Sequence, residues 1–413
     1  MDKKPEKMVP EVRFKGFTDD WEQRKLSSIA HQTFGGGTPS KSNKQFWNGD
    51  FPWIQSSDLA EDTIRGVHPN KFITQNALLI SAAKKIPKNS IAIVSRVGVG
   101  KVALIPFNYS TSQDFLSLSG LKINSQFATY SIHKIMKKTA SQLQGTSIKG
   151  ITKKDILNKT IIFPISEKEQ VHISSLLKYV DYIISLQQRK LEQLKQLKKA
   201  MLQQLFVDKN SKQPNLRFKN FNSDWKQRKL KNISKRILRK NSDLQSLLPL
   251  TISAQDGLVD QTLYFNKQVA SKQLKNYLLL YNGDFAYNKS YSVGYPYGAI
   301  KRLDKYKQGV LSTLYIAFKP TNINSDFLQH YYDTDKWYRE IYRNAAEGAR
   351  NHGLLNISAN DFFNSKLVTP SDNEEQLKIA KIINLFNHLI TLRQDNLTQL
   401  TTLKKYLLQK LFI

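Results

Sequence analysis

A chain of 413 residues, 40% hydrophobic and 11% aromatic, is too long for one hydrophobic core and too apolar to remain disordered, so two or three folded domains are expected. Lys and Arg outnumber Asp and Glu by 63 to 33, a formal +30; this favours a polyanionic partner, nucleic acid first, over a surface merely rich in lysine. The absence of cysteine excludes disulfides, thiolate nucleophiles and Cys-type zinc sites and fits a reducing cytoplasm. The start, MDKKPEKMVPEVRFKGF, has no apolar leader, and no run approaches the ~18 apolar residues of a membrane span, so a cytoplasmic protein without membrane contact is expected.

The first element is a phrase that the chain uses twice. RFKGFTDDWEQRKL, from Arg13 to Leu26, returns as RFKNFNSDWKQRKL from Arg217 to Leu230, and eleven of the eighteen positions in 12–29 and 216–233 are identical. Trp21 and Trp225 recur within it, either as core anchors or as part of a partner-docking segment.

The stretch that follows, FGGGTPSKSNKQFWNGDFPWIQSSDL from Phe34 to Leu59, sets glycine and proline turns around Phe46, Trp47, Phe51 and Trp53. Ile91–Ser95 and Lys101–Ile105 read as paired strands, and a mixed α/β domain is expected. Gly98–Lys101 reads GVGK, but a phosphate loop needs four residues between its glycines and a hydroxyl after the lysine, so nucleotide binding is set aside. The polar groups left for DNA are Ser56, Ser57, Lys84, Lys85, Arg96 and Lys101, with Thr146, Ser147 and Lys149 on a glycine-bearing exit loop.

From Pro164 to Phe206 there is no internal glycine or proline, and Pro164 and Ser166 are start signals, so a long helix is expected. Val180, Ile184, Leu191, Leu194, Met201 and Leu205 form one apolar stripe, interrupted by Gln187 and Lys198. The segment recurs from Pro370 to Phe412 with seventeen of forty-three positions identical; there the stripe is Phe386, Ile390, Leu397, Leu400, Leu407 and Leu411, interrupted by Arg393 and Lys404. The interruptions either fix register in a coiled coil or snorkel from an ordinary bundle helix.

Between the repeated edges, residues 31–145 and 235–348 align without a convincing run of identities. The second stretch is again strand-like, and Asn288, Lys289, Ser290, Tyr291 and Tyr295 offer amide, ammonium and hydroxyl groups in a glycine- and tyrosine-rich connection. Arg350, Asn351 and His352 occupy the second exit loop. Each of these loops also reads as an ordinary polar turn. The expected order is a first domain over 1–163, a helix over 164–207, a second domain over 208–369 and a second helix over 370–413. No paired-histidine metal motif, Gly-x-Ser-x-Gly elbow or Asn/Asp-Pro-Pro-aromatic stretch marks a catalytic centre.

The doubled order of RFKGF…DW…RKL, variable domain, exit loop, proline and long helix resembles the specificity subunits of type I restriction–modification systems. GGGTPSKSNKQFWNGDFPWIQSSDL and FFNSKLVTP, Phe362 to Pro370, carry the resemblance most specifically. It implies an α+β fold with two mixed α/β target-recognition domains, separated by a pair of long antiparallel coiled-coil helices in a pseudo-twofold repeat. It also implies recognition of a bipartite, asymmetric site in double-stranded DNA, with no catalysis by this chain and no cofactor bound to it. Two methyltransferase subunits and two restriction motor-nuclease subunits would be its partners, and S-adenosylmethionine, ATP and magnesium would belong to them. A DNA-modifying or DNA-cleaving enzyme acting alone, and a coiled-coil scaffold that binds nucleic acid without reading it, are the rival expectations.

Overall fold

A computed structural model describes residues 8–143, 150–208, 211–267, 274–345 and 355–413. The chain forms two compact units, one of Met1–Arg189 with Asp395–Ile413 and one of Lys190–Gln394.

In the first unit β1 (Trp21–Lys25) leads through a single turn to β2 (Ala30–Gly35), β3 (Trp47–Ile54), β4 (Lys71–Ile73) and α1 (Gln75–Ile80). The hairpin of β5 (Ser90–Val94) and β6 (Val102–Ile105) follows, then β7 (Ser110–Thr111), β8 (Phe115–Leu121), α2 (Ser125–Leu143), α3 (Lys153–Asn158) and β9 (Thr160–Pro164). One sheet has the order β2-β8-β5-β6, and a second, β4-β3-β7, contains the parallel pair β3–β7. The expected strand pair is present, with Ile91 opposite Leu104 and Ile93 opposite Val102. Every residue of β5 is buried, which is why this strand is a continuous apolar run rather than an alternating one. Strand β1 pairs antiparallel with β9, so the repeated entry phrase closes on the strand that precedes the long helix α4 (Glu167–Leu205).

The second unit repeats this plan. Its strands are β10 (Lys226–Lys229), β11 (Ser234–Arg236), β12 (Pro249–Ser253), β13 (Gly257–Asp260), β14 (Leu278–Tyr281), β15 (Phe285–Asn288), β16 (Ala299–Arg302), β17 (Gln308–Leu311), β18 (Ile316–Pro320) and β19 (Lys366–Thr369). The order β11-β18-β15-β16 matches β2-β8-β5-β6, the parallel pair β12–β17 matches β3–β7, and β10 pairs with β19 as β1 does with β9. The two variable stretches, which read as unrelated in sequence, therefore share one topology. The reason is that a strand needs burial and turn chemistry rather than identity. Ile91, Ile93 and Leu118 in one unit and Phe285, Tyr287 and Phe318 in the other fill the corresponding positions with different buried side chains.

One short motif recurs within the variable stretches with a single difference. Ile123-Asn124-Ser125-Gln126-Phe127 returns as Ile323-Asn324-Ser325-Asp326-Phe327, where it caps α2 and its counterpart α5 (Ser325–Tyr332). Each asparagine accepts from the phenylalanine N–H, at 3.0 and 2.9 Å, and donates its own N–H to Gln170 or Gln376, 2.8 Å in both cases.

Each repeated edge is locked by an ion pair. Arg13 meets Glu169 and Arg217 meets Glu375 with the same fork, Nε to one oxygen at 2.7 Å and Nη2 to the other at 2.9 Å. Both glutamates are 1% exposed, so the planar guanidinium is what makes their burial tolerable. Trp21 and Trp225 are buried beside these pairs; they are core anchors, and their rings are not open for docking.

The second long helix is α6 (Asn373–Lys410). In the first unit Ile173 and Leu177 of α4 share a core with Leu411, and Asp181 pairs with Lys404 at 2.6 Å. Position rises along one helix as it falls along the other, so the two run antiparallel there. In the second unit Leu205, with Met201 against it, joins Ile379, Ala380 and Ile383 in the same way. None of the twelve predicted stripe residues is exposed: Val180, Leu191, Leu205 and Leu411 are buried, and Ile184, Leu194, Met201, Phe386, Ile390, Leu397, Leu400 and Leu407 are half-buried. Among the described residues no helix is long and apolar enough to cross a membrane.

Candidate nucleic-acid interface

The glycine run at the start of the first domain is a packing requirement. A Cβ on Gly36 would lie 1.8 Å from the Ser112 carbonyl oxygen, and one on Gly37 would lie 1.8 Å from that of Ala82. Only glycine lets the loop rest on these backbones, and Trp53 fixes it by donating Nε1–H to the Gly37 carbonyl at 3.0 Å. Trp53, Phe46 and Phe51 are buried, so the aromatic residues of this stretch build the core, and the polar residues between them remain for a ligand. Gln55 and Asp58 close a single turn that leaves Ser56 half-buried and Ser57 exposed.

The β5–β6 hairpin rises beside that turn. Ser95 is tied at its root, donating N–H and Oγ–H to the Asp114 carbonyl at 2.7 and 2.9 Å, while its own carbonyl accepts from Ile151 N–H at 2.8 Å. Beyond it Arg96 is exposed, as are Lys84 and Lys85. Lys101 spends a donor internally on the Ser56 carbonyl at 3.1 Å, which joins two predicted contact regions into one surface. Lys153, which sequence reasoning passed over, is the missing member of this group. Its ammonium fills the space that a Cβ on Gly35 would need. Burial, and then the charges of Lys84 and Arg96, lower its pKa. Among the described residues Lys84, Arg96 and Lys153 form no ion pair, and three uncompensated cations beside exposed backbone are suited to phosphate oxygens.

In the second unit the β15–β16 hairpin holds the corresponding place. Leu355 N–H donates to the Lys289 carbonyl at 3.1 Å, as Ile151 does to Ser95. The side chain of Asn288 accepts from Ser290 N–H at 2.9 Å, and Lys289 reaches the Ile357 carbonyl at 3.4 Å. Tyr291 is 53% exposed, whereas Tyr295 is half-buried against the core. Gly298 is obligatory, for its φ is +80° and a Cβ would lie 2.0 Å from the Asn288 carbonyl oxygen. The two domains thus offer equivalent hairpins with different chemistry: an arginine with lysines in one, an amide with serine and tyrosine in the other. Thr146, Ser147, Lys149, Arg350, Asn351 and His352 lie outside the described residues.

A second difference sits where the helices meet the domains. Lys404, one of the two repeated stripe lysines, is buried between Asp181 and the Asp62 carbonyl at 2.7 Å. Asp181 also accepts from Tyr130 Oη–H at 2.6 Å, and burial together with that carboxylate pushes the phenol well above its usual range. Lys198 is only half-buried. Burial lowers its pKa against the pull of Asp333. Burial would raise Asp333, but His330, Lys301 and Lys198 hold it down, to about 2. Lys404 is therefore internal and does not snorkel, whereas Lys198 keeps part of its surface open. Among the described residues no group of three or more His, Asp or Glu is placed to hold a metal ion.

Residues 18–196 match the family described as the type I restriction modification DNA specificity domain. Over 196 residues the chain is 30% identical to the MjaIX specificity subunit of Methanocaldococcus jannaschii, covering 46% of this chain and 44% of that one. It is 33% identical over 149 residues to the EcoR124I/EcoR124II specificity subunit of Escherichia coli, covering 33% and 36%. These matches span less than half of either curated relative. In fold the likeness extends over nearly the whole chain: the specificity subunit from M. genitalium superposes with a TM-score of 0.58 at 18% identity, covering 98% of this chain and 99% of that one. A chain from a type I restriction–modification structure concerned with complex assembly and conformational transition gives 0.55 at 16%, covering 95% and 97%. By sequence over its first half and by fold over nearly its whole length, the chain resembles the specificity subunits of type I restriction–modification systems, and residues 18–196 match the model of their DNA specificity domain.

Proposed function

We propose that the chain is the DNA-recognition subunit of a type I restriction–modification complex, in which each unit reads one half of a bipartite, asymmetric duplex site. The observation that carries this reading is the pairing of identical frames with unlike tips. The same Arg–Glu fork, the same asparagine cap and the same strand order support one hairpin with Arg96 and another with Asn288, Ser290 and Tyr291. Repeated frames suit attachment to identical partner subunits, and unlike tips suit unlike half-sites. Lysines supply orientation and salt-dependent affinity, and a few side chains per domain discriminate bases, each worth about 1–3 kcal/mol. Methylation and cleavage, with S-adenosylmethionine, ATP and magnesium, fall in this reading to two methyltransferase and two motor-nuclease partners, and this chain serves as their scaffold.

Selection from random duplexes by the full chain with its methyltransferase partner, at fixed salt, tests the reading. The expected product is one motif with two separated specified parts, bound about a thousandfold or more above random DNA. A flat selection, or transfer of methyl groups by this chain without a partner, contradicts it.

A further inference from the structure

Two residues stand idle in this account. Val97 and Val293 each occupy the second position of the tight turn that tips a hairpin. Val99 N–H donates to the Arg96 carbonyl at 3.0 Å around Val97–Gly98, and Tyr295 N–H donates to the Ser292 carbonyl at 2.8 Å around Val293–Gly294. Gly98 and Gly294 have φ of +93° and +83°, whereas neither valine has a positive φ, which is the pattern of a type II turn with glycine third. The turn sends its second side chain outward, and the valines are 71% and 88% exposed. A single exposed valine is ordinary. The same Val-Gly turn on equivalent hairpins that otherwise differ in length and sequence calls for a common role. Both tips are flanked by groups suited to DNA: Arg96 adjoins the first, and Ser290 and Tyr291 lead into the second.

Resting on the DNA-recognition reading, we propose that Val97 and Val293 are specificity-determining residues, each pressing on the 5-methyl group of a thymine in the major groove. Thymine alone presents an apolar group on that edge, and an aliphatic side chain has no hydrogen bond with which to read any other base. Valine suits the task because its branched side chain is stiff about χ1 and loses little freedom on contact.

Replacing thymine by deoxyuridine removes only that methyl, so the contact can be tested on the full chain with its methyltransferase partner and the duplex obtained by selection. Each thymine of both half-sites is replaced in turn and binding is measured for the parent, Val97→Ala, Val97→Ile, Val293→Ala and Val293→Ile. One thymine per half-site should respond, with binding weakened about fourfold, the scale of one buried methyl. That response should vanish in the alanine variant of the matching hairpin and persist in the isoleucine variant. Indifference to deoxyuridine at every thymine, half-sites without thymine, or an equal response in parent and alanine variants would each overturn the assignment. Because the valines are exposed, their replacement leaves folding intact. A parent complex with no preferred duplex would bring down the recognition reading and this inference together.

Discussion

The two units solve one structural problem with different residues, and in the proposed function the boundary between what they share and what they vary is the boundary between assembly and recognition. Shared to within a tenth of an ångström are the Arg13–Glu169 and Arg217–Glu375 forks. Varied are the hairpin tips, and so are the surroundings of the two repeated lysines, one held by Asp181 and the other left near Asp333. The joints are alike and the tips are not, which is what the proposed pair of sensors requires.

The largest effects should come from breaking the shared joints. Glu375→Ala leaves Arg217 without its buried partner and also orphans Trp225 Nε1, which donates to Glu375 at 3.2 Å. Trp21 Nε1 makes no such bond. Denaturant unfolding should therefore show a loss of about 3–5 kcal/mol for either glutamate, with Glu375→Ala exceeding Glu169→Ala by about 1 kcal/mol. Equal losses would mean that the tryptophan bond contributes nothing and the units are more alike than their geometry.

A smaller contrast separates the stripe lysines. Lys404→Met strands the carboxylate of Asp181, which is 9% exposed, and should cost about 2–3 kcal/mol; Lys198→Met removes a half-buried charge that folding already disfavours, and should lie within about 0.5 kcal/mol of the parent. Thermal melts of the two single variants decide the matter. Similar shifts would show that the repeat governs these positions and their local partners do not.

Much of this was legible in the sequence, for definite reasons. The long helices announced themselves by apolar spacing and by the absence of glycine and proline, and all twelve stripe residues are at least half-buried. The entry phrase was legible as a repeat, but its purpose was not. Arg13 and Glu169 lie 156 residues apart, and only the coincidence of a Glu-Gln pair at 169–170 and 375–376 hinted that a common partner existed. The common topology of the variable domains was hidden because buried strands accept many side chains. Lys153 was missed because it stands on a short helix remote in sequence from Lys84 and Arg96, and only the fold gathers the three. Lys101 and Lys289 look in sequence like any free surface cation, whereas each also braces a backbone carbonyl.

The central claim, that each unit is an independent sensor on a common joint, is tested most directly by exchanging residues 26–164 with 230–370. These limits begin just after β1 and β10 and end at Pro164, the last residue of β9, and Pro370, just after β19, so the Arg13–Glu169 and Arg217–Glu375 forks stay whole while each entry strand pairs with the exit strand of the incoming domain. Methylation mapping in cells carrying the exchanged chain and its partners should return the parental half-sites in reversed order. An unchanged motif would contradict the account.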